Sequence, residues 1–265
     1  MVIQMKIAAV GFCCIDEYKE LGRRYPTGNG VDCVINLAKK GISASVVSAV
    51  GNDEYGKEMF EVLKRYGIDA SHLHVREGKT SLMEMGLNGN DRVHLYNHRG
   101  VMADFALTPE DVAFIKQHEY LHTDYDGRIA PQLQEFRKAG VKVVFDFSVH
   151  YQKRENTDAI MKETDYAFLS YERRDSFIED YLRRAKALGA GIVTATLGEN
   201  GSLCYDGERF YEQPAIPAEV VNTVGAGDSF VAGFMYGVMR GWDIPRCLYS
   251  GTETANAIVQ KFEPY

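Results

Sequence analysis

Apolar residues along this chain fall into two repeating patterns that predict alternating strands and helices. Short apolar runs such as Val141–Phe145 and Ile192–Ala195 are typical of strands buried on both faces of a parallel sheet. Near the end of the chain, Leu248, Ala255 and Ile258 share one side of a helical repeat and predict a core-facing stripe. We predict strands at residues 6–10, 44–50, 119–123, 142–146, 165–169 and 191–197. We predict helices at residues 30–40, 54–66, 108–117, 127–139, 172–188, 228–240 and 244–260. This alternation predicts an α/β fold, a three-layer sandwich whose ligands gather at the carboxyl ends of the strands.

Two regions interrupt the alternation of strands and helices. Ser81–Leu87 and Arg92–Tyr96 predict two strands joined by a turn at 88–91, whose letters are Asn-Gly-Asn-Asp. With residues 12–18 this hairpin predicts a small sheet that projects from the main body, either as a lid or as an edge hairpin without a gating role. Residues 197–211 carry two more turn signals and predict an antiparallel extension. We therefore predict one domain over residues 1–265, with lid strands near 12–18 and 80–97.

Composition and charge limit the classes of protein to which the chain can belong. Its 265 residues are 45% hydrophobic and 25% charged, as in an ordinary globular enzyme. The net charge of −7 argues against broad binding to nucleic acid or to anionic membranes. Five cysteines without Cys-x-x-Cys spacing predict reduced thiols and a cytoplasmic location. The apolar run Ile7–Ile15 is too short to span a bilayer and contains Gly11, so it does not predict a signal peptide. We expect no nucleic-acid partner and no membrane.

Residues Gly225–Asp228, at the start of a predicted helix, form the most informative segment of the chain. Free N–H groups at a helix N-terminus bind anions by direct donation and through the helix dipole. Asp228 adds a proton acceptor for a hydroxyl that attacks phosphorus. The same residues are compatible with a glycine-rich turn capped by aspartate, because aspartate is a common N-cap. The other segments of the chain favour a phosphoryl-transfer site.

Other candidate motifs fail on their spacing. Gly28–Cys33 begins like a dinucleotide-binding fingerprint but lacks the third glycine, and the chain has no Gly-x4-Gly-Lys-Ser/Thr loop. His72 and His74 alternate along a probable strand, and His94 and His98 lie in the lid region. Neither pair has a cysteine or a cluster of carboxylates at metal-binding spacing, so we expect no zinc site.

Three segments of the chain resemble the ribokinase-like (PfkB) carbohydrate kinases. They are Gly225–Asp228 at the start of a C-terminal helix, Thr27–Asp32 near the N-terminus, and Thr196–Gly201, which matches a nucleotide-binding segment. The resemblance extends from Ala8 to about Lys261, nearly the whole chain. Within the family, residues 90–93, 100–107 and 145–148 are most similar to the branch that phosphorylates fructoselysine, the sugar adduct of a glycated lysine.

This resemblance implies a Rossmann-like sandwich with a β-sheet lid, ATP as phosphoryl donor and Mg²⁺ as the required metal. It also implies a homodimer formed through the lids. Asp228 would accept the proton of the sugar hydroxyl, and the amides of Gly225, Ala226 and Gly227 would stabilise the transferring phosphoryl group. The implied nucleotide-side residues are Thr196, Gly198 and, beside the adenine, Asn256. The implied sugar-side residues are Asp16, Gly28, Asn29, Asp32 and Arg92. Arg92 can neutralise a phosphoryl oxygen or remain a solvated edge charge.

The chain departs from the family pattern at several positions. Thr27 stands where the family usually has glycine, and Asp32 stands where it has asparagine. We hypothesise that the added charge at Asp32 favours a substrate with a cationic amine, as fructosamines have. Asn222 replaces an aspartate linked to monovalent-cation sites, which puts potassium activation in doubt. A family segment associated with Mg²⁺ ligands appears here as residues 170–173, so the metal ligands are unassigned, with Glu172 and Asp146 as candidates.

The sequence thus predicts an ATP-dependent sugar kinase that acts on the 6-hydroxyl of fructoselysine or a related fructosamine. Two alternatives stay open. One is a kinase for another ketose or for a nucleoside, because the sugar-side residues differ most from the pattern. The other is a non-catalytic sugar or nucleotide sensor on the same fold.

Overall fold

Two sheets and eight helices organise the part of the chain that the computed structural model describes, residues 5–89 and 91–265. The strands are β1 (Lys6–Val10), β2 (Cys14–Tyr18), β3 (Arg23–Thr27), β4 (Ser43–Gly51), β5 (Asp69–Arg76), β6 (Ser81–Asn88), β7 (Asp91–His98), β8 (Tyr120–Asp124), β9 (Lys142–Ser148), β10 (Tyr166–Ser170), β11 (Ile192–Thr196), β12 (Ser202–Tyr205) and β13 (Phe210–Gln213). The helices are α1 (Asn29–Ala38), α2 (Glu54–Arg65), α3 (Pro109–Ile115), α4 (Leu133–Lys138), α5 (Thr157–Lys162), α6 (Ser176–Leu188), α7 (Ala226–Met239) and α8 (Ile244–Val259).

The large sheet is the middle layer of the fold. Over the described ranges its order is β13-β12-β11-β10-β9-β8-β1-β4-β5, parallel from β5 to β11 and antiparallel at β12 and β13. Alternate side chains bury on opposite faces, so Val143 and Phe145 join one core cluster and Val144 joins the other. Helices α4, α5 and α6 contribute to the first cluster, and α1, α2, α7 and α8 to the second. The result is the predicted three-layer α/β sandwich.

The second, smaller sheet has the strand order β3-β2-β6-β7. Strand β2 is parallel to β6, whereas the β2–β3 and β6–β7 pairs are antiparallel. Its buried residues Tyr18, Tyr25 and Met85 pack with Val224, and Phe262 lies against them. This packing places the small sheet beside the segment that leads into α7. Asn90, in the predicted turn, lies outside the described residues, as does the side chain of Asp91.

Most predicted elements are present, and the differences have local causes. The predicted helix at 127–139 begins as a 3-10 turn at Ala130–Gln132 and is α-helical only from Leu133, and Arg128 before it has a φ of 56° that no α-helix accommodates. Strand β3 was not predicted, since it contains Pro26, which is tolerated here on the edge of the small sheet. Strand β5 was predicted only as the probable strand that carries His72 and His74, and helix α5 was absent from the predicted elements. None of the helices in the described ranges is both long and apolar enough to cross a bilayer.

Candidate active site

The glycine-rich turn that leads into α7, residues 223–228, carries the predicted anion-binding amides, and we call it the amide turn; of those amides, that of Ala226 already has a protein acceptor. Gly225 has a φ of 68°, a left-handed conformation that favours glycine, and an added Cβ would overlap Pro264. The Ala226 N–H donates to the Thr223 carbonyl at 3.3 Å. Gly227 faces open space, since an added Cβ would meet nothing within 4 Å. Because N–H groups in the first turn of a helix lack intrahelical acceptors, this turn can receive an anion.

Asn222 holds the amide turn in place from a fully buried position. Its Oδ1 accepts a hydrogen bond from the Val224 N–H at 3.0 Å. Its Nδ2 donates to the Tyr18 hydroxyl at 3.3 Å and to the Phe262 carbonyl at 3.1 Å. At this position, where the family usually has aspartate, the asparagine amide therefore links the amide turn to the small sheet and to the end of the chain.

Asn36 joins α1 to the first turn of α7. Its Nδ2 lies 3.1 Å from the Ser229 hydroxyl and 2.9 Å from the carbonyl of Asp32, and its side chain is buried. Ser229 directly follows Asp228, so this contact ties the backbone beside Asp228 to the helix that carries Asp32. The sequence offered no signal for this contact, because the two partners lie 193 residues apart.

Five aspartates interact with one another through their charges, and we call them the carboxylate cluster: Asp16, Asp32, Asp124, Asp146 and Asp228. Asp124 and Asp146 are direct neighbours in the β8–β9 register. Burial raises the pKa of Asp16 to about 7 and that of Asp124 to about 8. Burial and then repulsion from Asp146 raise the pKa of Asp228, and burial and then repulsion from Asp228 raise that of Asp32. The cluster therefore concentrates negative charge that a bound cation can neutralise.

Asp32 has one carboxylate oxygen engaged and one without a partner. Its Oδ2 accepts a hydrogen bond from the Thr27 hydroxyl at 2.7 Å, so the two departures from the family pattern are in direct contact. Its Oδ1 is buried and has no hydrogen-bond partner among the described residues, and the same is true of Oδ1 of Asn29. Buried polar atoms are normally hydrogen-bonded, so these two oxygens mark a place for a ligand.

Arg92 is a positively charged residue of the small sheet whose charge acts on the carboxylate cluster. It lies on β7 with its side chain exposed, and its Nη1 donates to the Thr223 carbonyl at 3.1 Å. Its charge opposes the rise in pKa at every member of the cluster except Asp124. The guanidinium is therefore a positive group beside both the carboxylates and the amide turn.

Gly28 and Asn29, two of the predicted sugar-side residues, stand at the start of α1. Gly28 has a φ of 144°, and an added Cβ would overlap the Phe12 carbonyl oxygen, so only glycine fits there. The Nδ2 of Asn29 donates to Oδ2 of Asp146 at 2.7 Å, and Oδ1 of Asp146 accepts from the Ser148 N–H at 2.7 Å. Both oxygens of Asp146 are thus occupied by protein donors.

The three predicted nucleotide-side residues lie on different elements. Thr196 ends β11 and donates to the Leu169 carbonyl at 3.2 Å, and Gly198 has a φ of 57° with open space around it. Asn256, on α8, donates to the Ile216 carbonyl at 2.8 Å. No hydrogen bond joins Asn256 to the other two residues within the described ranges.

The donor chemistry of the carboxylate cluster fits Mg²⁺, which prefers oxygen ligands and keeps several waters. Among the described residues no three carboxylates of the cluster lie close enough together to hold an ion by themselves, so one or two of its members, together with waters, could supply those ligands. Glu172 fits less well, because its side chain is exposed and its carbonyl is occupied by Nδ2 of Asn200 at 2.9 Å. Asp124 is the member that sequence reasoning missed. Its position at the carboxyl end of β8, the same feature that singled out Asp146, could have identified it.

Comparison with known proteins identifies the family. Residues 17–265 match the model of the pfkB family carbohydrate kinases. The chain is 35% identical to a fructoselysine 6-kinase of Escherichia coli K12 over 96% of its own length and 97% of that protein. It is 30% identical to a fructosamine kinase of Bacillus subtilis strain 168, over 95% and 89% of the two chains. An Arabidopsis thaliana ribokinase solved with ribose and ATP has the same fold, with a TM-score of 0.82 at 20% identity over 99% and 94% of the chains. The chain therefore belongs to the pfkB family of carbohydrate kinases, phosphotransferases that act on a sugar hydroxyl.

Proposed function

We propose that this sugar kinase transfers the γ-phosphoryl group of ATP to the 6-hydroxyl of fructoselysine or a related fructosamine. The names of the bacterial relatives support that substrate class. The observation that supports an amine-bearing sugar is Asp32, a buried carboxylate with one oxygen that has no hydrogen-bond partner in the described part of the chain. A fructosamine carries a cationic amine beside its sugar ring, and a hydrogen-bonded ammonium would satisfy that oxygen and its charge.

In the proposed reaction, Asp228 accepts the proton of the 6-hydroxyl as its oxygen attacks phosphorus. The raised pKa of Asp228 makes its carboxylate a stronger base than an ordinary aspartate. The amide turn donates hydrogen bonds to the phosphoryl oxygens, on which negative charge is spread during transfer. Asp16, Gly28, Asn29 and Asp32 orient the sugar, and Arg92 neutralises charge near the amide turn.

The proposed nucleotide-side residues are Thr196, Gly198 and Asn256. Bound Mg²⁺ would supply positive charge to the phosphate oxygens, with carboxylates of the cluster as its protein ligands. We further propose that residues 1–265 act as one kinase domain and that the small sheet is its lid. Closure of that lid would bring Arg92 over the substrate and exclude water from the reaction.

An ADP-release assay over a panel of fructosamines, hexoses and nucleosides tests the proposal. Fructoselysine should give the highest kcat/KM, with the phosphate located on the 6-hydroxyl by NMR. A higher kcat/KM for a nucleoside or an amine-free ketose would contradict the fructosamine proposal. If none of the tested substrates gave ADP release, the assigned acceptor would be contradicted.

We expect Asp32→Asn to remove the preference for the amine. The substitution keeps the size of the side chain and its contact with Thr27 but removes the charge, so kcat/KM for fructoselysine should fall roughly 10–100-fold, as when a hydrogen bond to a charged group is lost. The kcat/KM for fructose, which has no amine, should fall less than that for fructoselysine. An unchanged ratio of the two kcat/KM values would contradict the role of Asp32.

We expect kcat/KM to fall at acid pH as Asp228 becomes protonated. Because the pKa of Asp228 is raised, the midpoint should lie above about 3.9, the usual value for aspartate, and the loss below it should be about tenfold per pH unit. Arg92→Met should move the midpoint to higher pH, since the charge of Arg92 lowers this pKa. A profile that is flat to pH 4 in the wild type, or a midpoint that Arg92→Met leaves in place, would contradict this assignment.

We propose that two copies pair through the small sheet. Strand β7 lies at the edge of that sheet, and its Leu95 and Tyr96 side chains are 63% and 59% exposed. Light scattering should give twice the mass of one chain, and Leu95→Asp should give the mass of one chain. Val75→Asp, at a residue 58% exposed on the large sheet, is the control and should leave the mass unchanged. A wild-type mass of one chain would contradict the dimer.

A further inference from the structure

A cluster of two histidines and one aspartate lies outside the carboxylate cluster, where β5 meets α3. His72 and His74 are on β5, the outermost strand at one edge of the large sheet, and alternate positions place both side chains on one face. Asp111 is in the first turn of α3. It was not associated with the histidines in the sequence because 37 residues separate it from His74.

Asp111 lies between the two imidazole rings. The Nδ1 of His72 is 2.7 Å from Oδ1 of Asp111, and the Nε2 of His74 is 2.9 Å from the same oxygen. The other oxygen, Oδ2, accepts a hydrogen bond from the Thr108 N–H at 2.9 Å as part of a capping box. The Asp111 side chain is completely buried, so its direction is fixed by the fold.

The rings of the two histidines are held and yet reachable from solvent. The ring of His72 stacks on Phe114 with 3.9 Å between centroids. The side chains of His72 and His74 are 20% and 33% exposed. One ligand atom from each histidine and from Asp111 lies within 4.8 Å of the other two, and no other group of three such residues occurs in the described chain. Water can therefore complete a coordination shell on the open side.

We propose that His72, His74 and Asp111 bind one transition-metal ion, with Zn²⁺ as the best-fitting example. Two imidazole nitrogens, one carboxylate oxygen and a water form a common four-ligand Zn²⁺ set. Imidazole selects this class of metal over Mg²⁺, which prefers oxygen ligands. On binding, the ligand atoms would separate from hydrogen-bond distance to roughly 3.3 Å, the edge of a tetrahedron with metal–nitrogen bonds of about 2.0 Å.

The ion would connect β5 and α3, the two elements between which the chain forms strands β6 and β7 of the small sheet. Strand β5 precedes β6 and β7, and α3 follows them. A metal held by β5 and α3 would therefore tie together the entry to and the exit from the small sheet. The role is structural, since the ligands are separate from the carboxylate cluster and from the amide turn.

Isothermal titration calorimetry of the chelator-treated full-length protein with Zn²⁺ tests this site. We expect one ion per chain, and at least about a tenfold weaker affinity in His72→Ala and in His74→Ala. His98→Ala is the matched control, because His98 also contacts a carboxylate, that of Glu84 at 3.2 Å, but lies in the small sheet. Its Zn²⁺ affinity should equal that of the wild type.

Titration with Co²⁺ gives a second, spectroscopic readout. The wild type should show the visible bands of a four-coordinate nitrogen and oxygen site without a thiolate charge-transfer band, because all five cysteines are buried. Circular dichroism verifies that the histidine variants are folded. Absence of stoichiometric binding to the wild type, or undiminished binding by the folded His72→Ala and His74→Ala variants, would overturn the proposal. Either result leaves the kinase proposal untouched, since that is tested by ADP release with Mg²⁺.

Discussion

Asp228→Asn should lower kcat by about 10²–10⁴-fold, the range that a positioned general base contributes. Asparagine keeps the size of the side chain and the polar contacts of the first turn of α7 but cannot accept the proton of the sugar hydroxyl. The KM values for sugar and ATP should change much less than kcat, because the loss acts on the chemical step. Steady-state kinetics with both substrates varied measures the effect.

Asp158→Asn is the control for this substitution. Asp158 forms an exposed ion pair with Arg184 on the surface, where both side chains are about half exposed. Surface pairs of this kind contribute little to stability, so its kcat should equal that of the wild type. A kcat for Asp228→Asn within tenfold of the wild-type value would show that Asp228 is not the base, and another member of the carboxylate cluster would then be the first candidate.

Gly225→Ala should lower kcat/KM by about 10²-fold through the amide turn. The added methyl group would overlap Cβ of Pro264 and lie 2.9 Å from its Cα. Pro264 cannot move freely, since its carbonyl accepts from Nδ2 of Asn36 at 3.2 Å and the adjacent Tyr265 hydroxyl donates to the Pro26 carbonyl at 2.6 Å. The turn itself should shift instead, and misplaced donors cost about this much in rate.

Gly67→Ala is the control that distinguishes the clash with Pro264 from the free-energy cost of placing alanine in a left-handed backbone conformation. Gly67 has the same φ of 68°, but an added Cβ there would meet nothing within 4 Å. Both substitutions should destabilise the fold by about 1–2 kcal/mol through the left-handed conformation alone, measured by urea unfolding. Gly67→Ala should keep full activity. Equal kcat/KM in the two variants would contradict the proposed role of the amide turn.

The carboxylate cluster explains why a cation should matter at this site. Four of its five buried or half-buried aspartates interact with Arg92, and burial followed by repulsion from neighbouring aspartates raises the pKa of Asp124 and Asp228. Like charges held close together lower the free energy of unfolding, and such destabilising arrangements are common at functional sites. Mg²⁺ and the amine of a fructosamine are two cations that would neutralise the cluster during the proposed reaction.

The sequence by itself determined the alternating α/β fold and the segment Gly225–Asp228. Both follow from local physics: apolar runs such as Val141–Phe145 must be covered on two faces, and glycines before a helix expose its first amides. The family followed from the same motif together with Thr196–Gly201, and the comparisons confirm it. The roles of the individual site residues stay predictions.

Only the tertiary structure decided which distant side chains meet. Asp124 and Asp146 became neighbours because adjacent parallel strands end at one edge of the sheet, and the free oxygen of Asp32 was recognisable only once its surroundings were known. Asp111 reached His74 through the packing of α3 on β5. Such contacts depend on how the chain folds between the two partners, and this cannot be deduced from the spacing of residues within one segment.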